Sequence, residues 1–294
     1  MSQDPLDPTS NDPGREADAP PTPPGPLPAT GTMPGPRQHD VALRNRQLAH
    51  ACVERAQDIL IGRYRLDSSQ VAFDLLRRTS QRMNIKLHTL AEAVIRVPGP
   101  DADAELWFPG RARYSPPPLP GLAGPEGDHS GHGAVLKSTL RRVLHLTQAG
   151  MGNVQVAEHG MLRLERHTGL SREFTDFFAF VQDSTTACAQ AAQEGRQVTV
   201  KDVAVAEVFD EDSRHTILRA GSRGCHSVPL TGPGGAVLGM VSSHHERPLA
   251  GFTRTQLDEL QAVGEQVGRW LAWHRNTRVL DALEHLHAAA AALR

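Results

Sequence analysis

Between residues 43 and 96, apolar side chains recur at three- and four-residue spacing in three runs separated by polar breaks. That period predicts amphipathic helices, because residues three and four apart share one helix face. The first helix is expected from about Leu43 to Tyr64. Leu48, Cys52, Ile59 and Arg63 make one stripe of it, and Ala49, Val53, Ala56 and Leu60 the next. So wide an apolar surface exceeds what one helix of a three-helix bundle buries, and part of it is expected to pair with a second chain. Leu66-Asp67 breaks the helix, with Asp67 as the expected cap of the second and Gln70 as its box partner. The second helix buries Ala72, Phe73, Leu75, Leu76 and Thr79 and leaves Arg77, Arg78 and Arg82 toward water. Asn84 is expected to cap a third helix. There Leu87, Leu90, Ala91 and Val94 fall at i, i+3, i+4 and i+7, with Glu92 on the polar face.

Beyond residue 133 the pattern changes. A helix is expected from about Val135 to Gln148, then strands near Asn153–Glu158 and Met161–His167. Helical ground follows at Arg172–Val181 and Thr185–Glu194, then a strand near Gln197–Lys201. A hairpin runs from Gly224–Leu230 to Val237–His244 around Thr231-Gly232-Pro233-Gly234-Gly235, residues that supply turn dihedrals. A closing helix starts at Thr253 with Gln256 as box partner, and Leu257, Leu260, Gly264, Val267 and Leu271 face inward. Strands in succession with helices gathered on their faces predict an α+β domain with a mostly antiparallel sheet.

Proline divides the chain. Eleven of the 22 prolines lie in residues 1–38 and eight more in 98–131, stretches too poor in apolar surface to offset ordering entropy. The expected organisation is a disordered tail over 1–39, a helical module at 40–97, a Pro-rich linker at 98–132, a second domain at 133–276 and a helical extension at 277–294. Within the linker, Leu106-Trp107-Phe108 and Tyr114 are too apolar for a plain spacer. They dock on a neighbouring domain or form a partner motif.

The net charge of −2 hides an asymmetry. Residues 40–97 hold ten Arg and Lys against six Asp and Glu, whereas residues 1–38 hold five acids against two arginines. A small cationic helical module without catalytic furniture is built to bind, and nucleic acid is its first candidate partner. Arg78 and Arg82 lie one turn apart and Lys86 opens the third helix beside them. A solvated helix end that complements the dipole explains the same residues equally well. Three cysteines, no signal-like start and no long apolar run fit a reduced, cytoplasmic, membrane-free protein. His215, Cys225, His226, His244 and His245 match no compact zinc spacing, so no metal is expected, and His226 and His244 are expected to face each other across the hairpin. Cys188 reads as a small buried hydrophobe, and Ser184, Thr185 and Thr186 reach a ligand pocket or cap a helix. Paired catalytic groups are missing from both units, so an enzyme is not expected.

Residues 43–96 resemble an ANTAR domain, the three-helix RNA-binding module of transcription antitermination regulators. Val53, Ala56, Ile59 and Leu60 carry the likeness in the first helix. Ala72, Phe73, Leu75, Leu76, Arg77, Arg78 and Ser80 carry it in the second, and Asn84, Lys86, Leu87, Ala91 and Val94 lead into the third. Gln57-Asp58 stand where that family usually has Lys-Gly. Residues 133–276 resemble a GAF domain through Gly152-Asn153-Val154-Gln155-Val156, Phe174-Thr175-Asp176-Phe177-Phe178, Cys225-His226-Ser227-Val228-Pro229-Leu230 and Leu238-Gly239-Met240-Val241-Ser242-Ser243-His244. The resemblance implies a multidomain regulator: a small all-α three-helix module and an α+β sensor. Paired modules would each engage an RNA stem-loop in a nascent transcript, favouring an antiterminator hairpin. On that likeness Arg77, Arg78, Arg82 and Lys86 contact phosphate, Asn84, His88 and Thr89 lie nearer the bases, and a small-molecule or protein signal acts at the sensor. The alternatives are a DNA-binding helix-turn-helix regulator and a protein-binding signalling scaffold without nucleic-acid contact.

Overall fold

Backbone chemistry fixes the corners of the helical front module. The computed structural model describes residues 38–101, 103–122, 131–158, 160–181 and 186–293, with the backbone alone for 38–46 and 49. The tail expected over 1–39 lies outside the described residues apart from its last two. Helix α1 spans Gln38–Tyr64, α2 Ser69–Met83 and α3 Leu87–Arg96. Arg65, at φ 56°, turns the chain out of α1. Ser68, not Asp67, caps α2: its hydroxyl accepts the Val71 N–H at 3.3 Å. Asn84 closes α2 rather than opening α3. It takes the left-handed conformation that asparagine tolerates, and its N–H returns to the carbonyls of Gln81 and Ser80. Lys86 is the residue that precedes α3.

The module does not end with three helices. Ala56, Leu60, Tyr64, Ala72, Leu75, Leu76, Leu90, Ala91 and Val94 form one buried cluster with Val279, Ala282, Leu283, Leu286 and Ala290. The last five belong to a π-helical turn, Arg275–Val279, and to the chain's last helix, here α9, Leu280–Ala291. A pair of bonds fixes this helix from within. The Tyr64 hydroxyl donates to His287 Nδ1 at 2.8 Å, while His287 Nε2–H donates to the Ala104 carbonyl at 2.7 Å. Glu92, expected on a polar face, is buried, because α3 is enclosed between α1, α2 and the C-terminal segment.

Residues 107–113 of the Pro-rich stretch lie against α9. Trp107 is buried. Its backbone N–H and that of Phe108 donate to the Glu284 carboxylate at 3.0 Å each, and its indole N–H donates to the Pro98 carbonyl at 2.9 Å. The Arg63 guanidinium lies 5.1 Å from the Trp107 ring.

The rear domain is built on six strands: β1 Met151–Glu158, β2 Met161–Thr168, β3 Phe180–Val181, β4 Val198–Val200, β5 Gly224–Thr231 and β6 Val237–His245. Their order is β3-β2-β1-β6-β5-β4, with every neighbouring pair antiparallel. Val181, expected at a helix end, belongs to an edge strand, and the helix before it (α5) stops at Phe177. Helices α4 (His132–Thr147) and α8 (Arg254–His274) cover one face over Val154, Val156, Val228, Leu230 and Val241. Helices α5 (Arg172–Phe177), α6 (Ala187–Glu194) and α7 (Glu211–Arg219) line the other over Leu162, Met240 and Cys225. Thr253 and Gln256 complete the expected capping box of α8. Gly264 and Gly268 let that helix lie directly on β5: a Cβ at either would come within 2.4 Å of Pro229 or Thr231 backbone atoms. Among the described residues no helix is long and apolar enough to cross a membrane.

His226 and His244 do not face each other. The register pairs His226 with Ser243 and His244 with Cys225. One residue of offset puts the two rings on opposite faces of the sheet.

Candidate nucleic-acid interface

The cations expected at the interface, on α2 and at the start of α3, fall into two groups. On the solvent side of α2, Arg77, Arg78 and Arg82 are exposed, as is Asn84 at the corner that follows. Arg77 reaches Asp74 across one helical turn at 3.1 Å, an exposed pair that contributes little. Hydrogen bonding from Gln70, with Arg77 beside it, holds the Asp74 carboxyl below its ordinary range. Arg78 and Arg82 make no ion pair among the described residues. Spaced four residues apart, they share one face and present two guanidinium forks about one helical turn apart.

The second group lies at the start of α3 and is engaged. Lys86 Nζ and the His88 ring both meet Glu165 of β2, the latter at 3.3 Å. Arg163, two residues back on the same strand, bonds Glu165 and both oxygens of Glu158, the last at 2.7 and 3.0 Å, and lies against the His88 ring. The Glu165 side chain is 1% exposed, while Lys86 keeps 39%. Burial alone would raise both carboxyls. The His88, Arg163 and Lys86 contacts instead hold Glu165 far below its usual range, and the Arg163 guanidinium lowers Glu158. Thr89 is half-buried beside this cluster. His88, Glu158 and Glu165 also bring three possible ligand atoms within 4.8 Å, but Arg163 already supplies the positive charge among them.

The expected residues therefore divide. Arg77, Arg78, Arg82 and Asn84 form an open surface; Lys86 and His88 lie at the contact with the sheet, and Thr89 follows them on α3. The sequence reading missed Glu158, Arg163 and Glu165. Their signal was present, because Met161-Leu-Arg-Leu-Glu-Arg-His alternates and places Arg163 and Glu165 on one strand face. Behind this contact, α1 supplies Leu48 and Cys52, and β2 and β3 supply Met161, Leu164 and Phe180, to a cavity of about 230 Å3. Part of the wide apolar surface of α1 thus lies against the chain's own sheet.

A second cavity lies on the far face of the sheet, lined by Asn153, Gln155, Phe174, Phe178, Thr186, Cys188, Cys225 and His244 among others. Its free volume is only about 30 Å3, room for roughly one or two waters. Its polar groups mostly satisfy one another: His244 meets Asn153 at 3.1 Å and Ser222 at 3.1 Å, and the Ser227 and Ser242 hydroxyls meet at 2.9 Å. Gln155 is the exception. Its amide N–H donates to the Phe178 carbonyl at 3.3 Å, and its Oε1 is buried with no partner among the described residues. Burial drives the His244 pKa down to about 4 and raises the Cys225 thiol to about 12, so both stay uncharged. Thr186 both lines the cavity and caps α6, its hydroxyl accepting the Ala189 N–H at 3.2 Å. Ser184 and Thr185 lie outside the described residues.

Residues 41–95 match the family model of the ANTAR domain, and residues 132–270 that of the GAF domain. Solved structures are similar to parts of the chain. One is a GAF domain/HD domain protein from Geobacter sulfurreducens, at 14% identity over 49% of this chain and 93% of that one, with a TM-score of 0.42. Another is the GAF domain of an Acinetobacter phosphoenolpyruvate-protein phosphotransferase, at 14% over 71% and 97%, TM-score 0.41. A third is a free methionine-R-sulfoxide reductase from Neisseria meningitidis, solved with its substrate, at 19% over 50% and 82%, TM-score 0.40. No curated protein matches the chain.

Proposed function

We propose that this chain, which carries an ANTAR domain in front and a GAF domain behind, is an RNA-binding transcription antitermination regulator under sensor control. Arg77, Arg78 and Arg82 contact the phosphates of a stem-loop, and Asn84 stands at the corner nearest its bases. The single observation that carries this reading is the exposed Arg78–Arg82 face, without an ion pair among the described residues, on a module that matches the ANTAR model. So few cations bind weakly alone. Two copies acting on a two-hairpin RNA gain affinity through effective concentration, which favours a homodimer working on nascent transcripts in the cytoplasm.

The burial pattern supports RNA over duplex DNA. A helix-turn-helix reading would lay α3 in a major groove. Here Leu90, Ala91, Glu92, Ala93 and Val94 are all buried, which leaves that helix no reading face. RNA loops, in contrast, bring phosphates and splayed bases to a helix edge. Direct competition tests this: hairpin RNA from a random-loop pool selected on the full chain should displace duplex DNA, and preferential retention of the duplex would overturn the reading. Recovery of no RNA after crosslinking in cells would favour the protein-binding scaffold instead.

The sensor role rests on the second cavity. An apolar-walled pocket with an unsatisfied Gln155 Oε1 offers a small ligand one buried acceptor. Its present volume requires Phe174, Phe178 or α6 to shift before anything larger than water enters.

A further inference from the structure

The cluster at the start of α3 joins two domains through opposite charges, and it uses cations that the RNA reading assigns to nucleic acid. We propose that Glu165 is a built-in stand-in for an RNA phosphate, holding Lys86 and His88 against the sensor sheet so that RNA must displace it to gain those contacts. This rests on the RNA reading above and names the regulation of that same surface.

Chemistry supports the match. A carboxylate and a phosphate present the same kind of acceptor oxygens to an ammonium and an imidazole. Glu165 is enclosed on its strand, yet Lys86 is a long side chain with its head still partly in water. The contact can therefore open by rotation of Lys86 and His88, without separating α3 from the sheet. Arg163 keeps Glu165 partnered when they leave, since its guanidinium already bonds that carboxylate and Glu158. The cluster is close to neutral when closed: Lys86 and Arg163 oppose Glu158 and Glu165. When opened toward solvent it adds Lys86, with His88 beside it, to the Arg77–Arg78–Arg82 face.

The position also gives the sensor a handle. Glu158 ends β1, the strand that carries Asn153 and Gln155 into the second cavity. Next to it, Arg275 of the π-helical turn bonds the Ala157 carbonyl, and the same turn leads into α9 beneath the front module. A π-turn inserted between two regular helices is a common place for functional adjustment. A shift of β1 at the cavity thus reaches both the cluster and the helix that completes the module.

The test uses the full chain and a two-hairpin RNA drawn from the selected random-loop pool. Glu165→Gln should tighten binding about tenfold, within the usual range of coupling between sites. The gain should vanish when Lys86→Ala is added. In the unaltered protein, saturating RNA should move the Lys86 ammonium 15N resonance and the Glu165 carboxyl 13C resonance together, a readout that holds even if the Gln variant folds poorly. Equal affinities with stationary resonances would overturn the stand-in while leaving RNA binding intact. Absence of any RNA binding at low salt would overturn both.

Discussion

Arg78 and Lys86 belong to one small module, eight residues apart, and differ in everything that decides what a cation can do. Arg78 and its neighbour Arg82 are exposed and make no ion pair among the described residues. Lys86, with His88, is tied to a carboxylate that water scarcely reaches. Arg78 and Lys86 count equally toward the charge of residues 40–97. Only the first is available to a phosphate without breaking something first. Segment charge therefore measures a module's capacity for nucleic acid, and the pairing of each cation measures how much of that capacity is exposed.

The sharpest way to break this comparison is to remove the cation that serves the closed side. Arg163→Ala leaves the half-buried Glu158 without its guanidinium and takes one partner from the enclosed Glu165, and should cost about 3–5 kcal/mol in chemical denaturation. A loss no larger than that of a surface arginine would mean the cluster carries no structural weight. Next comes the platform common to both sides. Leu283→Ala in α9 should destabilise the front module by about 2–5 kcal/mol, read as earlier loss of helicity in α1–α3. A module unaffected by that change would be autonomous, and α9 a mere appendage.

Acid probes the rear domain that holds the closed side. His226 and His244 are buried and His132 is half-buried, with pKa values driven down by desolvation to about 4 from the ordinary 6.5. Their neutral forms fit the fold, so the unfolded chain binds more protons below pH 6.5. Stability should thus be complete above pH 6.5 and fall as pH drops toward 4, by up to roughly 1.4 kcal/mol per pH unit for each histidine. A GdmCl midpoint that stays flat between pH 7 and 4.5 would contradict these placements. Thr253→Ala, which removes the capping box of α8, should cost about 1 kcal/mol. Smallest of all, Arg78→Ala should change stability by less than about 0.5 kcal/mol, since its side chain is exposed and makes no ion pair among the described residues.

Much of this architecture was legible in the sequence because it is local. The three- and four-residue spacing of Leu75, Leu76 and Thr79 located α2, and the Thr253–Gln256 pair located the start of α8. Alternation and the Gly-Pro-Gly-Gly turn located the β5–β6 hairpin. Corners were harder. Asp67 and Ser68 are both good caps, and only backbone geometry chose the serine. Asn84 has two uses, N-cap or left-handed C-cap, that no pattern separates. Long-range pairing was the least legible. Nothing near α2 announces that a helix some two hundred residues later seals its core, and Glu165 became visible as a partner of Lys86 only once β2 was placed beside α3. The open half of the candidate surface was readable from helix phase, because that phase also sets exposure. The closed half depended on a contact between domains.

The central claim is that the open face, Arg78 with Arg82, grips RNA phosphates. Its most direct test is the salt dependence of hairpin-RNA affinity, measured on the full chain and on the Arg78→Ala/Arg82→Ala variant. Two lost phosphate contacts should lower the slope of log affinity against log salt by about 1.5–2 and weaken binding at low salt, with the melting curve unchanged. Equal slopes and equal affinities for the two proteins would contradict the account.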